Sequence, residues 1–146
     1  MSNHTVTESL KKVLADSYAL YLKTQNYHWN VEGPYFKTLH ILFEEQYTDL
    51  ALAIDEVAEL IRGLGDKAPG TWSAYEKLTT IKDGNENASA DEMVKSLAND
   101  QEEIMKNSLE PALKIAQDAG DEVVAGVLIE RLTIHRKNKW MLKSSI

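Results

Sequence analysis

Cysteine is absent from the 146 residues of this chain. Disulfide bonds and thiolate-bound metals are therefore excluded, and any metal site must be built from imidazole and carboxylate groups. Those ligands suit iron, manganese or zinc better than copper(I). The sequence also lacks any run approaching the roughly 18 apolar residues of a membrane-spanning helix, and its first residues do not form a signal-peptide pattern. We therefore expect a soluble, cytoplasmic protein with no membrane partner.

Turn-forming residues are also scarce, since the chain holds only seven glycines and three prolines. Runs that alternate β-branched with polar residues are missing, which disfavours a sheet. Hydrophobic residues make up 43% of the chain, enough for the core of one domain over residues 1–146. The composition therefore predicts a single all-α domain.

Positive charge is in the minority, with 16 basic against 23 acidic residues and a formal net charge of -7. Such a surface repels a phosphate backbone unless positive charge is gathered in one place. Basic residues are concentrated only near the C-terminal end, at Arg136, Lys137, Lys139 and Lys143, and no lysine-rich tail is present. Direct DNA binding is therefore disfavoured.

The first half of the chain predicts two long helices. A capping-box pattern at Thr5-Val6-Thr7-Glu8 predicts that the first helix begins near residue 6, and it runs to about residue 31. Gly33-Pro34 breaks it, and the second helix covers about 36–63 with a stripe of apolar residues along one face.

Two more helices are predicted in the second half. The third begins at a capping box, Ser89-Ala90-Asp91-Glu92, and reaches about residue 119 with a kink at Pro111. The fourth covers about 121–142. Between the second and third helices lies a connection of more than twenty residues, with a short helix near 71–78, which suggests a crossover. The pattern is that of a four-helix bundle of the ferritin-like kind.

Four candidate metal ligands lie on one face of the second helix. At 3.6 residues per turn, His40, Glu44, Asp55 and Glu59 fall within an arc of about 100°. His40 and Asp55 are nevertheless separated by about 22 Å along the helix axis. One ion therefore cannot contact all four residues in a single chain.

The positions of these residues are symmetric about a point between residues 49 and 50. An antiparallel second copy would bring His40 and Glu44 of one chain to Asp55 and Glu59 of the other, creating two equivalent sites. His28 can join if the first two helices form an antiparallel hairpin. The alternatives are that His28 is a hydrogen-bonded core histidine and that Asp55 and Glu59 form a solvated edge or pair with basic residues.

Other metal and catalytic arrangements find less support. No Glu-x-x-His occurs, which disfavours a di-iron site within one chain, and the zinc-protease and phosphate-loop motifs are missing. We expect His4 to lie in a disordered tail and His135 to be a cation at a helix end beside Arg136 and Lys137.

Three motifs strongly resemble those of the Dps family, the mini-ferritins named as DNA-binding proteins from starved cells. They are His28-Trp29-Asn30-Val31-Glu32-Gly33, Phe36-x-x-Leu39-His40-x-x-x-Glu44 and Asp55-Glu56-Val57-Ala58-Glu59-x-Ile61. The resemblance extends over nearly the whole chain. It implies an all-α, ferritin-like four-helix bundle, with the short crossover helix, assembled as a hollow shell of twelve subunits.

The resemblance also implies a function. The family's ferroxidase centre lies at a two-fold interface, where one subunit contributes the ligands matching His28, His40 and Glu44 and its neighbour those matching Asp55 and Glu59. Iron is oxidised there from Fe(II), preferably by hydrogen peroxide, and stored as ferric mineral. Glu44 stands where many relatives have aspartate.

Two other readings stay open at the level of sequence. The chain could be a shell without iron chemistry, or a DNA-coating protein, although the basic tail of DNA-binding members is missing. Trp29 matches a family position where an aromatic ring can intercept stray oxidising equivalents, but a hydrophobic interface residue is the simpler interpretation.

Overall fold

This computed structural model describes residues 3–146, which contain six α-helices and one π-helical turn. The helices are α1 (Asn3–Asn30), α2 (Phe36–Gly63), α3 (Trp72–Leu78), α4 (Ala90–Ile104), α5 (Glu110–Asp118) and α6 (Glu122–Lys143), and the π-helical turn is Met105–Leu109. Four long rods result, because α4, the π-helical turn and α5 run on without a break. The predicted all-α four-helix bundle is confirmed.

Helices α1 and α2 form the antiparallel hairpin that positions the candidate ligands. The chain reverses at Gly33, whose φ of 116° lies in a region that a side chain disfavours. The predicted bounds of the second helix, 36–63, agree with those observed. Buried apolar side chains from both helices, such as Leu10, Leu14, Phe43 and Leu50, contribute to one core shared by all four rods.

The start of α1 differs from its prediction. The helix already includes Asn3, so Thr5-Val6-Thr7-Glu8 is not an N-terminal capping box. The Thr7 hydroxyl bonds within the helix to the His4 carbonyl at 3.0 Å and is also 3.1 Å from the Asp66 carboxylate. The prediction that His4 lies in a disordered tail is wrong as well, because His4 is an exposed residue of the first helical turn.

The third rod begins as predicted. The Ser89 hydroxyl accepts a hydrogen bond from the Glu92 backbone N–H at 3.2 Å, and the Glu92 carboxylate accepts one from the Ser89 N–H at 2.8 Å. Instead of a simple kink at Pro111, the rod contains a π-helical turn just before the proline. A wider turn relieves the clash between a proline ring and the carbonyl four residues earlier.

The long connection between α2 and α4 holds the predicted short helix. Thr71 caps it, its hydroxyl accepting from the Ala74 N–H at 3.2 Å. After α3, the chain is fixed to the bundle by Asp16 of α1, a fully buried carboxylate. Asp16 accepts from the Thr79 hydroxyl at 2.7 Å and from the Thr80 backbone N–H at 2.6 Å. The connection is therefore anchored on α1.

His135 of α6 is not the helix-end cation predicted from its basic neighbours. Its side chain is fully buried, its Nδ1–H donates to the Gln101 side-chain oxygen at 2.7 Å, and Arg131 lies 3.1 Å from its Nε2. Burial, and secondly the charge of Arg131, lowers the pKa of His135 to about 3. The imidazole is therefore neutral at physiological pH, and it joins α4 to α6.

No helix within residues 3–146 combines the length and apolar character needed to cross a membrane.

Candidate metal centre

His28, near the end of α1, and His40, in the second turn of α2, face each other across the hairpin. Their rings are stacked, with centroids 3.8 Å apart and planes inclined by 12°. Nδ1 of His28 is 2.6 Å from the backbone carbonyl of His40, and Nδ1 of His40 is 2.7 Å from the carbonyl of His28. The two histidines are therefore fixed by a reciprocal pair of hydrogen bonds.

These bonds determine which ring nitrogen is available. A carbonyl can only accept, so Nδ1 of each ring carries the proton and donates it. In a neutral imidazole the other nitrogen then has a free lone pair, and here that nitrogen is Nε2 of both His28 and His40. Metal-ligating histidines commonly use this arrangement, in which a backbone carbonyl orients the ring from behind. The pair is therefore prepared to bind a cation through Nε2.

Glu44, one turn after His40, supplies an oxygen ligand beside the two rings. Its Oε1 lies 3.9 Å from Nε2 of His28, and donor atoms of all three residues lie within 4.8 Å of one another. An ion bound at about 2.0–2.2 Å to each ligand needs donors no more than about 4.4 Å apart. The 3.9 Å between Oε1 and Nε2 of His28 lies within that limit, and Glu44 is exposed.

His28, His40 and Glu44, here called the ligand trio, have aromatic rings packed on one side and the protein surface on the other. His28 is only 6% exposed. Its ring meets the Tyr47 ring edge to face, with the two centroids 5.2 Å apart. Phe36 stacks on the outer face of His40 at 4.9 Å. Glu44 is exposed and His40 is half-buried, so these two residues bring the site to the surface of the α1–α2 hairpin.

Asp55 and Glu59 do not join this trio within one chain. Both are exposed and lie further along α2, about four to five turns beyond His40. Among residues 3–146, neither carboxylate makes an ion pair or a side-chain hydrogen bond. The chain thus assembles His28, His40 and Glu44, and it leaves Asp55 and Glu59 as unpaired acids on the same side of the hairpin.

Three protein ligands with room for more are typical of a reactive metal site rather than a closed structural one. Two imidazole nitrogens and hard carboxylate oxygen bind Fe(II), and added carboxylates favour Fe(III). The reciprocal histidine bonds were not foreseen from the sequence. The only sequence signal for them is that His28 and His40 flank the hairpin turn at similar distances.

A second possible cluster consists of His4, Glu8 and Asp66. Lys11 already pairs with this group, its ammonium lying 3.0 Å from the carboxylates of both Glu8 and Asp66. Hydrogen bonds from Lys11, and to a lesser degree from the Lys67 backbone and Thr7, lower the pKa of Asp66 to about 2. The cluster is therefore a surface ion-pair network with its own cation.

Comparisons with known proteins give the family of the chain. Residues 7–146 match the model of the ferritin-like domain. The chain is 38% identical to DNA protection during starvation protein 2 of Bacillus anthracis, over 97% of each chain. Dps of Staphylococcus aureus superposes with a TM-score of 0.94 and 35% identity, covering 99% of this chain and 96% of that one.

A third relative is the Dps protein of Vibrio cholerae O1, with a TM-score of 0.92 and 30% identity over 97% of this chain and 89% of that one. Sequence and fold agree along almost the whole chain in each of these comparisons. The chain belongs to the Dps family of the ferritin-like superfamily.

Proposed function

We propose that this protein is a ferroxidase and iron-storage mini-ferritin, which oxidises Fe(II) with hydrogen peroxide and keeps the ferric product in a shell of twelve subunits. One observation carries the proposal. His28 and His40 are fixed by reciprocal backbone hydrogen bonds that leave Nε2 of each ring free, and donor atoms of both residues and of Glu44 lie within 4.8 Å of one another. That arrangement orients ligands before any metal arrives.

The remaining ligands come from a second subunit in this proposal. Asp55 and Glu59 are exposed and without ionic partners in the described chain, and they are related to Glu44 and His40 by the symmetry of α2. Apolar side chains on the same helix, including Leu52 at 73% exposure and Ile41 at 44%, support contact with another subunit. Five ligands then meet at each of two equivalent sites.

The reaction balances when two Fe(II) ions are oxidised together. Each gives one electron, hydrogen peroxide takes both with two protons, and the products are two Fe(III) and two water molecules. Carboxylates from Glu44, Asp55 and Glu59 stabilise the higher charge of the ferric product. Delivering both electrons at one site avoids release of hydroxyl radical, which follows when peroxide takes a single electron.

The names of the relatives point in two directions. The Vibrio cholerae protein is described as a member of a superfamily of ferritin-like diiron-carboxylate proteins, which agrees with iron chemistry here. The Bacillus anthracis protein is named for DNA protection during starvation. Protection by removing iron and peroxide needs no DNA contact, and a net charge of -7 opposes such contact. Because of the name of the Bacillus anthracis relative, a DNA-coating or purely structural shell is kept as the second candidate.

Anaerobic loading with Fe(II) tests the proposal. Metal-free protein receives Fe(II), then hydrogen peroxide, and the mixture is separated by size-exclusion chromatography while iron and protein are both monitored. We expect rapid oxidation and ferric iron that co-elutes with a shell-sized protein peak. His40→Ala should slow the reaction, because it removes one Nε2 ligand and the ring that stacks on His28.

A different result would favour the second candidate. If wild-type protein oxidises iron no faster than buffer does, and ferric iron precipitates outside the protein peak, the shell has no ferroxidase chemistry. His28 and His40 would then be structural residues that close the hairpin.

A further inference from the structure

A series of aromatic contacts leads away from the ligand trio along the α1–α2 hairpin. Tyr47 meets the His28 ring at 5.2 Å between centroids and contacts Tyr21 at 5.7 Å with an interplanar angle of 71°. Tyr21 in turn contacts Tyr18 at 5.8 Å, also edge to face. Three tyrosines thus follow one another, each in contact with the next.

The series continues from Tyr18 to helix α3. Tyr18 stacks on Tyr75 at 5.1 Å and meets the edge of Trp72 at 5.7 Å. Trp72 is 66% exposed, whereas Tyr75 is almost fully buried. The contacts therefore connect the candidate ligand histidines to the exposed indole of Trp72 on α3 without a gap.

We propose that Tyr47, Tyr21 and Tyr18 form a relay that carries an oxidising equivalent from the metal centre to Trp72. The proposal rests on the proposed ferroxidase function, which supplies both iron and peroxide. Tyrosine and tryptophan are the side chains most readily oxidised by one electron in a chain without cysteine. An electron crosses van der Waals contact between two rings much faster than an enzyme turns over.

The relay is needed when only one Fe(II) is bound. Hydrogen peroxide must take two electrons, and a single iron gives one. In the first step Fe(II), Tyr47, hydrogen peroxide and one solvent proton yield Fe(III), a neutral tyrosyl radical and two water molecules, so the phenol supplies the second electron and the second proton. No hydroxyl radical is released.

The radical then moves along the relay. Tyr21 gives an electron to the Tyr47 radical and loses its phenolic proton as Tyr47 regains one, and the same exchange follows at Tyr18 and Trp72. At the surface, a further Fe(II) reduces the indole radical, which takes up one proton, and becomes Fe(III). The sum of these steps is two Fe(II) oxidised per hydrogen peroxide, as in the two-iron reaction.

Phenylalanine substitutions separate this redox role from packing. Among residues 3–146, the hydroxyls of Tyr18 and Tyr47 make no hydrogen bond to another protein group, so Tyr→Phe at these positions leaves no protein partner unsatisfied. The ring contacts remain, while the oxidisable phenol is lost. Tyr35 is a matched control, because it is 69% exposed and takes no part in these ring contacts.

The experiment uses the assembled protein with one Fe(II) per subunit and excess hydrogen peroxide. Freeze-quenched samples are examined by electron paramagnetic resonance for aromatic radicals, and parallel samples are spin-trapped for hydroxyl radical. We expect wild type and Tyr35→Phe to give an aromatic radical and little hydroxyl adduct. Tyr47→Phe should lose most of the radical and raise the adduct several-fold.

Later positions in the relay give a graded result. Tyr18→Phe should keep the radical on Tyr47 and Tyr21 and remove the signal of oxidised Trp72, which peptide mass spectrometry detects as indole oxidation. Trp140→Phe is the control for Trp72→Phe, because Trp140 is similarly exposed, at 64%, and lies outside the ring series. Trp140→Phe should leave the indole radical unchanged, whereas Trp72→Phe should remove it.

Two outcomes overturn the relay. One is equal radical and adduct yields in wild type and Tyr47→Phe. The other is a radical that persists in Tyr47→Phe and disappears in Trp29→Phe. In both cases wild-type iron oxidation is intact and only the relay fails. If wild type itself oxidises no iron, the ferroxidase proposal fails first, and the relay with it.

Discussion

The Glu44 carboxylate oxygen Oε1 lies 3.9 Å from Nε2 of His28, too far for a hydrogen bond and close enough for both atoms to bind one cation. Glu44 is exposed and is not needed to hold the hairpin together, whereas His28 and His40 are tied to the backbone. Glu44 is therefore the ligand whose removal separates chemistry from folding.

Glu44→Gln should lower the rate of Fe(II) oxidation by at least about tenfold, a loss typical of disturbed metal sites, with little change in thermal stability. The amide keeps the size of the side chain and loses the charge that stabilises Fe(III). Stopped-flow absorbance after peroxide addition measures the rate. Glu45→Gln, the exposed neighbour, is the matched control. Equal rates in the two variants would exclude Glu44 as a ligand.

Stability should fall as the pH drops, through the titration of His135. Its pKa is lowered to about 3 in the folded protein, by burial and by Arg131, whereas in the unfolded chain it stays near the ordinary value of about 6.5. Between these values the unfolded state binds the extra proton, so its free energy falls relative to that of the folded state. The contribution of neutral His135 to the free energy of unfolding is complete above about pH 6.5 and is lost progressively below it.

His135→Gln should reduce this pH dependence. Thermal unfolding followed by circular dichroism at pH 7 and pH 5 measures the loss in each protein. The exposed His4 serves as the control, and His4→Gln should behave like wild type. If His135→Gln loses as much thermal stability between pH 7 and pH 5 as wild type does, other groups are responsible for the acid sensitivity.

The bounds of α2 could be predicted from the sequence because the signals are local. Gly33-Pro34 and Gly63-Leu64-Gly65 end helices by their own backbone preferences, and Gly33 and Gly65 have positive φ angles. The capping box at Ser89 was predictable for the same reason. The shared face of His40, Glu44, Asp55 and Glu59 followed from helical periodicity alone.

Other features depend on distant contacts and could not be read locally. Thr7 lies within the predicted capping-box segment, yet its hydroxyl bonds within the helix and lies near Asp66, 59 residues away. His135 stands beside Arg136 and Lys137 in sequence, but the helix turns it inward to Gln101. The association of Asp55 and Glu59 with the histidines depends on a second chain and stays a prediction.

Removing one partner of the buried ion pair between α1 and α4 should strongly destabilise the protein. Lys23 Nζ is 2.8 Å from Asp100 Oδ2, and burial raises the pKa of Asp100 although Lys23 opposes the shift. Lys23→Met leaves a buried carboxylate without its cation, which should cost about 3–5 kcal/mol in urea unfolding at pH 7.

The double variant Lys23→Met/Asp100→Leu should recover most of that loss, because no charge is then buried alone. The loss in Lys23→Met should also shrink at acid pH, where Asp100 takes up a proton. If single and double variants are equally destabilised, packing of the lysine stem rather than charge pairing is responsible.

Purified protein should not retard plasmid DNA near neutral pH and physiological salt. Each chain carries a formal charge of -7, and the basic residues near the C-terminal end are few. Attraction to phosphate depends on neutralising cations and falls as salt rises. A gel-shift titration provides the measurement. A repeat at low salt, where attraction to phosphate is strongest, detects weaker binding. Clear retardation at physiological salt would support the DNA-coating alternative.

The central claim, that each site is shared by two subunits, is tested most directly by mixing two inactive variants. His40→Ala and Asp55→Asn are each disassembled, mixed in equal amounts and reassembled, and iron oxidation by peroxide is measured. In a mixed two-fold pair, one site takes its histidines from the Asp55→Asn chain and its acids from the His40→Ala chain, and is intact. Random pairing should restore about a quarter of wild-type activity. If the mixture stays as inactive as its components, the five ligands do not meet across a subunit interface.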